Sequence, residues 1–200
     1  MGKEYGYEIS DEVGRGVKER YAFIYDKSKV KVITPGLIYH DPDDELIREP
    51  YYGTFKSGKF DFTVIATHIV WGDKVKERRR EVQKLAEVYK DLQDMDQSEN
   101  DVILVGDFNR EPNDNKAFGQ LRKIPSMINL FSLPQKSVIY DSSLYDNIWF
   151  QSKYLKEYTG SCGIDHFDET DFGNDDAMAS IVVSDHRPVW AEFDTSIDDD

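Results

Sequence analysis

The sequence predicts an α+β fold of two packed β-sheets flanked by helices, in a single domain spanning residues 1–200. Three observations carry the prediction. Short β-type runs bounded by turn residues recur along the chain and outnumber helical patterns. One long stretch has helical periodicity and is amphipathic, which fits a helix lying on a sheet. Neither a repeat nor a linker divides the 200 residues, a length that one hydrophobic core can serve.

Tyr21–Tyr25 and Val30–Ile33 flank the polar Asp26-Lys27-Ser28-Lys29, a pattern that predicts a β-hairpin. Phe55 and the run Phe60–Thr67 continue the sheet, with Ser57-Gly58-Lys59 as the turn between them. Val75, Val82, Leu85, Ala86, Tyr89 and Leu92 then recur at helical spacing. Arg78, Arg79, Arg80 and Lys84 occupy the other faces of that helix and read as a solvated surface rather than a nucleic-acid patch. Asp101–Val105 is continuously apolar after its first residue, as in a strand buried on both faces, and it ends at Gly106-Asp107. Tyr145–Phe150, Ala179–Val183 and Val189–Phe193 complete the predicted strands, and residues 195–200 are expected to form a disordered acidic tail.

Composition narrows the function classes. The formal charge of -14 opposes a surface that attracts nucleic acid through its own Lys and Arg. It suits carboxylates gathered around divalent cations, which would meet a phosphate in place of basic side chains. The single cysteine, Cys162, excludes an internal disulfide framework. No apolar stretch approaches the roughly 18 residues of a membrane span, and Met1–Tyr7 has no apolar core of the signal-peptide kind. A soluble protein is expected, either cytoplasmic or secreted after removal of a signal peptide.

Four segments set His, Asp and Asn at predicted strand ends, where a rigid sheet can hold polar groups in a fixed constellation. They are Thr67-His68, Gly106-Asp107-Phe108-Asn109, Tyr145-Asp146-Asn147-Ile148 and Ser184-Asp185-His186-Arg187-Pro188. Singly each is ambiguous, since Gly-Asp-x-Asn is also good turn chemistry and a lone histidine after a strand is commonly structural. Together, in this order and spacing, they resemble the endonuclease/exonuclease/phosphatase superfamily. Lys18-Glu19-Arg20-Tyr21 and Arg48-Glu49-Pro50 resemble its DNase I-like branch. The likeness runs from about Val13 to Phe193.

The resemblance implies a four-layer sandwich of mostly antiparallel sheets and a metal-dependent phosphodiesterase, a DNA endonuclease of low sequence specificity. It implies two histidine–carboxylate pairs, His68 with Glu19 and His186 with Asp146, which would divide the removal of a proton from water and its delivery to the leaving oxygen. Asp107 and Asn109 would sit by the phosphate, Arg48 would contact it, and Asp185 with Asp107 would bind the metal. Mg²⁺ is the expected ion, with Mn²⁺ or Ca²⁺ as alternatives. Zinc held by His68 and His186 is disfavoured, because these residues lack local ligand spacing. A phosphatase or sphingomyelinase-type phosphodiesterase would share the constellation, as would a catalytically weak remnant or a partner-dependent binding domain. The family's opening strand with its Asn, and the following strand with its metal-binding Glu, are not recognisable, and Glu4, Glu8 and Glu12 are not promoted to that role. The sandwich is therefore expected to be incomplete at its N-terminus, with an exposed sheet edge covered by a homodimer contact or a partner chain.

Overall fold

A computed structural model describes residues 4–95 and 100–198. Among the described residues there are ten strands and four α-helices. The strands are β1 (Tyr5–Ile9), β2 (Ala22–Asp26), β3 (Val30–Ile38), β4 (Tyr51–Ser57), β5 (Phe60–His68), β6 (Val102–Asp107), β7 (Met127–Asn129), β8 (Asp146–Gln151), β9 (Tyr158–Ile164) and β10 (Val189–Phe193). The helices are α1 (Val75–Met95), α2 (Asn115–Phe118), α3 (Phe167–Thr170) and α4 (Asp176–Val182).

The expected α+β architecture is present. A six-stranded sheet in the order β3-β4-β5-β6-β8-β7 forms the centre. Only the β5–β6 pair in it is parallel, as the crossover through α1 requires. Helices α1 and α2 cover one face, where Val82, Leu85, Val88 and Tyr89 pack against Ile65, Leu104, Phe118 and Trp149. The other face carries two separate two-stranded sheets, β1-β2 and β9-β10. Phe23 of β2 stacks on Tyr51 of β4 with centroids 5.0 Å apart, and Phe193 of β10 stacks on Phe60 of β5 at 5.6 Å. Beside β2 a largely apolar groove of about 450 Å³ is lined by Phe23, Tyr25, Val30, Phe55, Phe62 and Val64.

Two expected elements differ. Residues 21–33 are not a hairpin: β2 pairs with β1, and β3 with β4, so the turn at Asp26–Lys29 carries the chain from one layer to the other. Alternating burial gives each strand one inward face, but that pattern does not say which neighbour will pair with it. Ala179–Val183, read as a strand, is the second half of α4 and its C-cap residue, Val183. Asp175 caps that helix by accepting from the Met178 amide at 3.0 Å. Its β-branched run is mostly solvent-facing, with Ile181 83% exposed, so hydrophobicity there did not signal a buried strand. After β10 the Thr195 carbonyl accepts from the Lys59 amide at 2.8 Å; residues 199 and 200 of the expected tail lie outside the described residues.

Candidate active site

Three strand ends meet at one edge of the central sheet. The parallel register sets His68 of β5 opposite Asp107 of β6, and the antiparallel register sets Asp107 opposite Asp146 of β8. The register therefore places a histidine and two carboxylates in a row. Gly106 permits the close approach: its φ is +145°, and a Cβ there would lie 1.9 Å from the Thr67 carbonyl oxygen.

His186 arrives from a distant segment. Its backbone bridges Val138, the Asp185 carbonyl accepts from the Ile139 amide at 2.9 Å, and the Arg187 amide donates to the Ser137 carbonyl at 2.6 Å. The Arg187 side chain locks this loop from below. Its Nε donates to Asp168 Oδ1 at 2.8 Å and its Nη1 to Asp141 Oδ1 at 2.6 Å. Asp168 is fully buried, and Arg187 holds its carboxyl below the usual range.

Each histidine has its own carboxylate. His68 Nδ1 lies 2.7 Å from Glu19 Oε2, and His186 Nδ1 lies 2.7 Å from Asp146 Oδ2. The second ring nitrogens both turn toward Asp107 Oδ2, at 3.5 Å for His68 and 4.0 Å for His186. The hydrogen bond to Asp146 pushes the His186 pKa up to about 9, against opposing desolvation. Burial, and then the nearby Asp146 charge, raise the Asp107 carboxyl. Asp107 Oδ1 accepts the Asn109 amide at 2.7 Å, and the buried Asn109 donates its Nδ2 to the Ile69 carbonyl at 2.7 Å.

A cleft of about 780 Å³ opens over this row, and His68, Asp107, Asn109, Asp146, Asp185 and His186 all line it. Glu19 and Arg48 do not. Arg48 is 9% exposed, and its Nη2 holds Glu19 Oε1 at 2.7 Å, behind His68. The residue expected to touch a phosphate thus touches the carboxylate that orients a histidine. Ligand atoms of Asp107, Asp146 and His186 lie within 4.8 Å of one another, a set that could hold a cation. The exposed Asp185 lines the cleft but is not in that group. The crowding that raises the Asp107 carboxyl is what a dication would relieve, and the two carboxylates supply the oxygen donors that a hard ion prefers.

Sequence reasoning overlooked two aromatic residues at the mouth. Trp71, 63% exposed, and Tyr145 face each other with centroids 6.0 Å apart. The Arg78 guanidinium lies 5.0 Å over the Trp71 ring, and its Nη1 donates to the Asn109 carbonyl at 3.2 Å. A solvent-facing tryptophan three residues after Thr67-His68 was the available signal.

No family model matches the chain. It is 31% identical over 205 residues to a deoxyribonuclease of Thioalkalivibrio sp. (strain K90mix), a match covering 96% of this chain and 56% of the relative. It is 29% identical over 209 residues to deoxyribonuclease gamma of Rattus norvegicus, covering 96% of this chain and 64% of that protein. The chain therefore spans somewhat more than half the length of these relatives. Among solved structures, an endonuclease/exonuclease/phosphatase from Bacteroides vulgatus superposes with a TM-score of 0.59 at 16% identity, covering 96% of this chain and 76% of that one.

Proposed function

We propose that this chain, which is similar along 96% of its length to a deoxyribonuclease and shares the fold of endonuclease/exonuclease/phosphatase structures, hydrolyses phosphodiester bonds in DNA with a divalent metal ion and without sequence specificity. The observation that carries this reading is the convergence of two carboxylate-backed histidines on one carboxylate oxygen, Asp107 Oδ2, at 3.5 and 4.0 Å.

Hydrolysis needs a base for the attacking water and an acid for the departing ester oxygen. His186 takes the water proton on Nε2 in its neutral form, which a pKa raised to about 9 makes more abundant toward alkaline pH, while Asp146 fixes the opposite nitrogen and stabilises the resulting imidazolium. His68 delivers a proton to the leaving oxygen from its own Nε2. Glu19 orients that ring, and Arg48 orients Glu19. Asn109, held rigid by its bond to the Ile69 carbonyl, positions the phosphate. Asp107 and Asp146 are the residues that would hold the cation, with Asp185 at the rim. Mg²⁺ is the best fit and Mn²⁺ or Ca²⁺ would serve; when bound, the ion would neutralise negative charge on the reacting phosphate. A cation held by Asp146 and Asp107 would compete with the proton on His186, because both draw on those carboxylates, Asp146 first.

Plasmid nicking in Mg²⁺ or Mn²⁺ tests the reading. Cleavage that EDTA abolishes, and that His68→Ala and His186→Ala each reduce by about 10²–10⁴-fold, is the expected result. Cleavage unaffected by both substitutions would assign the activity to another site or a contaminant.

A further inference from the structure

The three consecutive arginines of α1 read as a solvated face in sequence, but the fold brings other cations beside them. A cleft of about 910 Å³ runs between α1 and the segment of α2 and the 3-10 turn Leu121–Lys123. Five basic side chains line it, Lys76, Arg79, Arg80, Lys116 and Lys123, against one acidic residue, Glu77. Glu77 is already engaged by Lys74 at 3.0 Å. Arg79 and Arg80 are themselves paired with Asp114 and Glu45, so in a chain of formal charge -14 the excess positive charge of the cleft rests on Lys76, Lys116 and Lys123.

The cleft is built rather than incidental. Arg79 Nε holds Asp114 Oδ2 at 2.9 Å, Asp114 caps α2, and Gln83 Nε2 donates to the Lys116 carbonyl at 2.6 Å. These bonds clamp the two walls together. Lys76, Lys116 and Lys123 are exposed, and among the described residues none of their ammonium groups meets a carboxylate. Every lining residue is polar, charged or glycine, which disfavours an apolar peptide face or a lipid tail and suits a polyanion bound through ions and water.

The two clefts share no lining residue, but the start of α1 stands between them. Trp71 lines the catalytic cleft, Arg78 lies over Trp71 and bonds to the Asn109 carbonyl, and the next residue, Arg79, lines the basic cleft. From Lys76 to Gln83 the helix runs about 10 Å, a length along which one DNA strand presents about three phosphates.

We propose that this cleft is a docking groove for the DNA phosphate backbone, engaging phosphates away from the scissile bond. The proposal rests on the reading of the adjacent site as a phosphodiesterase acting on DNA. Lys76, Lys116 and Lys123 supply the contacts as mobile point charges, while Arg79 and Arg80 shape the wall. The groove offsets the repulsion between an acidic protein and its polyanionic substrate.

The test uses His186→Ala protein and a fluorescein-labelled duplex of about 30 base pairs, with binding followed by anisotropy from about 50 to 200 mM KCl. Lys76→Glu/Lys116→Glu/Lys123→Glu should weaken binding at least tenfold and lower the log–log salt slope by about 2.7, three contacts at about 0.9 each. Lys76→Gln/Lys116→Gln/Lys123→Gln should lower the slope similarly with less repulsion. The control, Lys27→Glu/Lys29→Glu/Lys31→Glu, makes the same charge change at the far end of the sheet, where Val30 pairs with Ser57 and Ser57 with Phe60. It should shift binding less than threefold. An unchanged slope in the groove variants, an equal loss in the control, or no DNA binding by the parent would each overturn the groove. Hydrolysis of bis(p-nitrophenyl) phosphate by protein retaining His186 judges the catalytic reading separately. That hydrolysis should persist in the groove variants; its absence from the parent would sink the active-site reading while the anisotropy series still decides the groove.

Discussion

Replacing Asp146 with Asn should move a proton affinity by a predictable amount. Asp146 Oδ2 lies 2.7 Å from His186 Nδ1 and is the main reason that ring keeps its proton up to about 9 instead of the ordinary 6.5. That difference is a factor of roughly 300 in proton affinity, or about 3 kcal/mol. The folded value is raised above the unfolded one, so the stability it contributes is fully present below pH 6.5 and is lost as pH rises through 9. In Asp146→Asn the hydrogen-bonded anion is gone and burial opposes the charge, while Asp107 and Asp185 still favour it, so the ring should titrate well below 9, shifted toward the ordinary 6.5. Histidine ring NMR in EDTA reads the titration, and urea unfolding at about pH 6 and about pH 10 reads the stability. At the lower pH the variant should be weaker by about 2–3 kcal/mol, allowing for screening of a ring that is 26% exposed. At the higher pH the gap should shrink below about 1 kcal/mol. A ring still titrating near 9, or a stability gap independent of pH, would refute the assignment of that proton affinity to Asp146.

Two further substitutions probe how the site is held. Gly106→Ala forces a Cβ to within 1.9 Å of the Thr67 carbonyl at a φ of +145°, so unfolding free energy should fall by about 3 kcal/mol or more in urea titration, with loss of diester hydrolysis. Arg187→Ala strands the fully buried Asp168, which should destabilise by about 3–5 kcal/mol and loosen the loop carrying His186. The conservative Arg187→Lys should recover part of the stability but not the paired geometry, read as a lowered thermal midpoint with partial activity.

The strand ends bearing His68, Asp107 and Asp146 were legible because an apolar β-run that stops at a polar residue specifies where that residue emerges. The helix over Val75–Leu92 was legible for the same periodic reason, and α1 extends it only to Met95. What could not be read is what depends on partners distant in sequence. Arg48 is separated from Glu19 by 29 positions, so its role behind His68 is visible only once the pair forms. The arginines of α1 became one wall of a basic cleft only when Lys116 and Lys123 were folded against them. Arg187 received no role of its own within Ser184–Pro188, yet its guanidinium pins the loop from a buried ion pair. The α4 segment misled because a β-branched run signals a strand only when its side chains are buried, and Ile181, Val182 and Val183 are exposed.

The same crowding that serves chemistry should weaken the metal-free protein. Burial and the Asp146 charge raise the Asp107 carboxyl in the folded state, so at neutral pH an ionised Asp107 costs folding free energy that the unfolded chain does not bear. Asp107→Asn removes the charge and keeps an oxygen able to accept the Asn109 amide now bonded at 2.7 Å. The variant should therefore have a higher thermal midpoint than the parent in EDTA. A cation that binds only the folded state raises the parent's midpoint with concentration, and that increment should vanish in Asp107→Asn. Asp185→Asn, altering an exposed carboxylate outside the close group, should keep most of it. Thermal unfolding of all three proteins across a Mn²⁺ series measures both effects. A destabilised metal-free Asp107→Asn would show that the carboxylate is held by favourable contacts rather than crowded, and loss of the Mn²⁺ increment in Asp185→Asn would move the cation to the rim of the cleft.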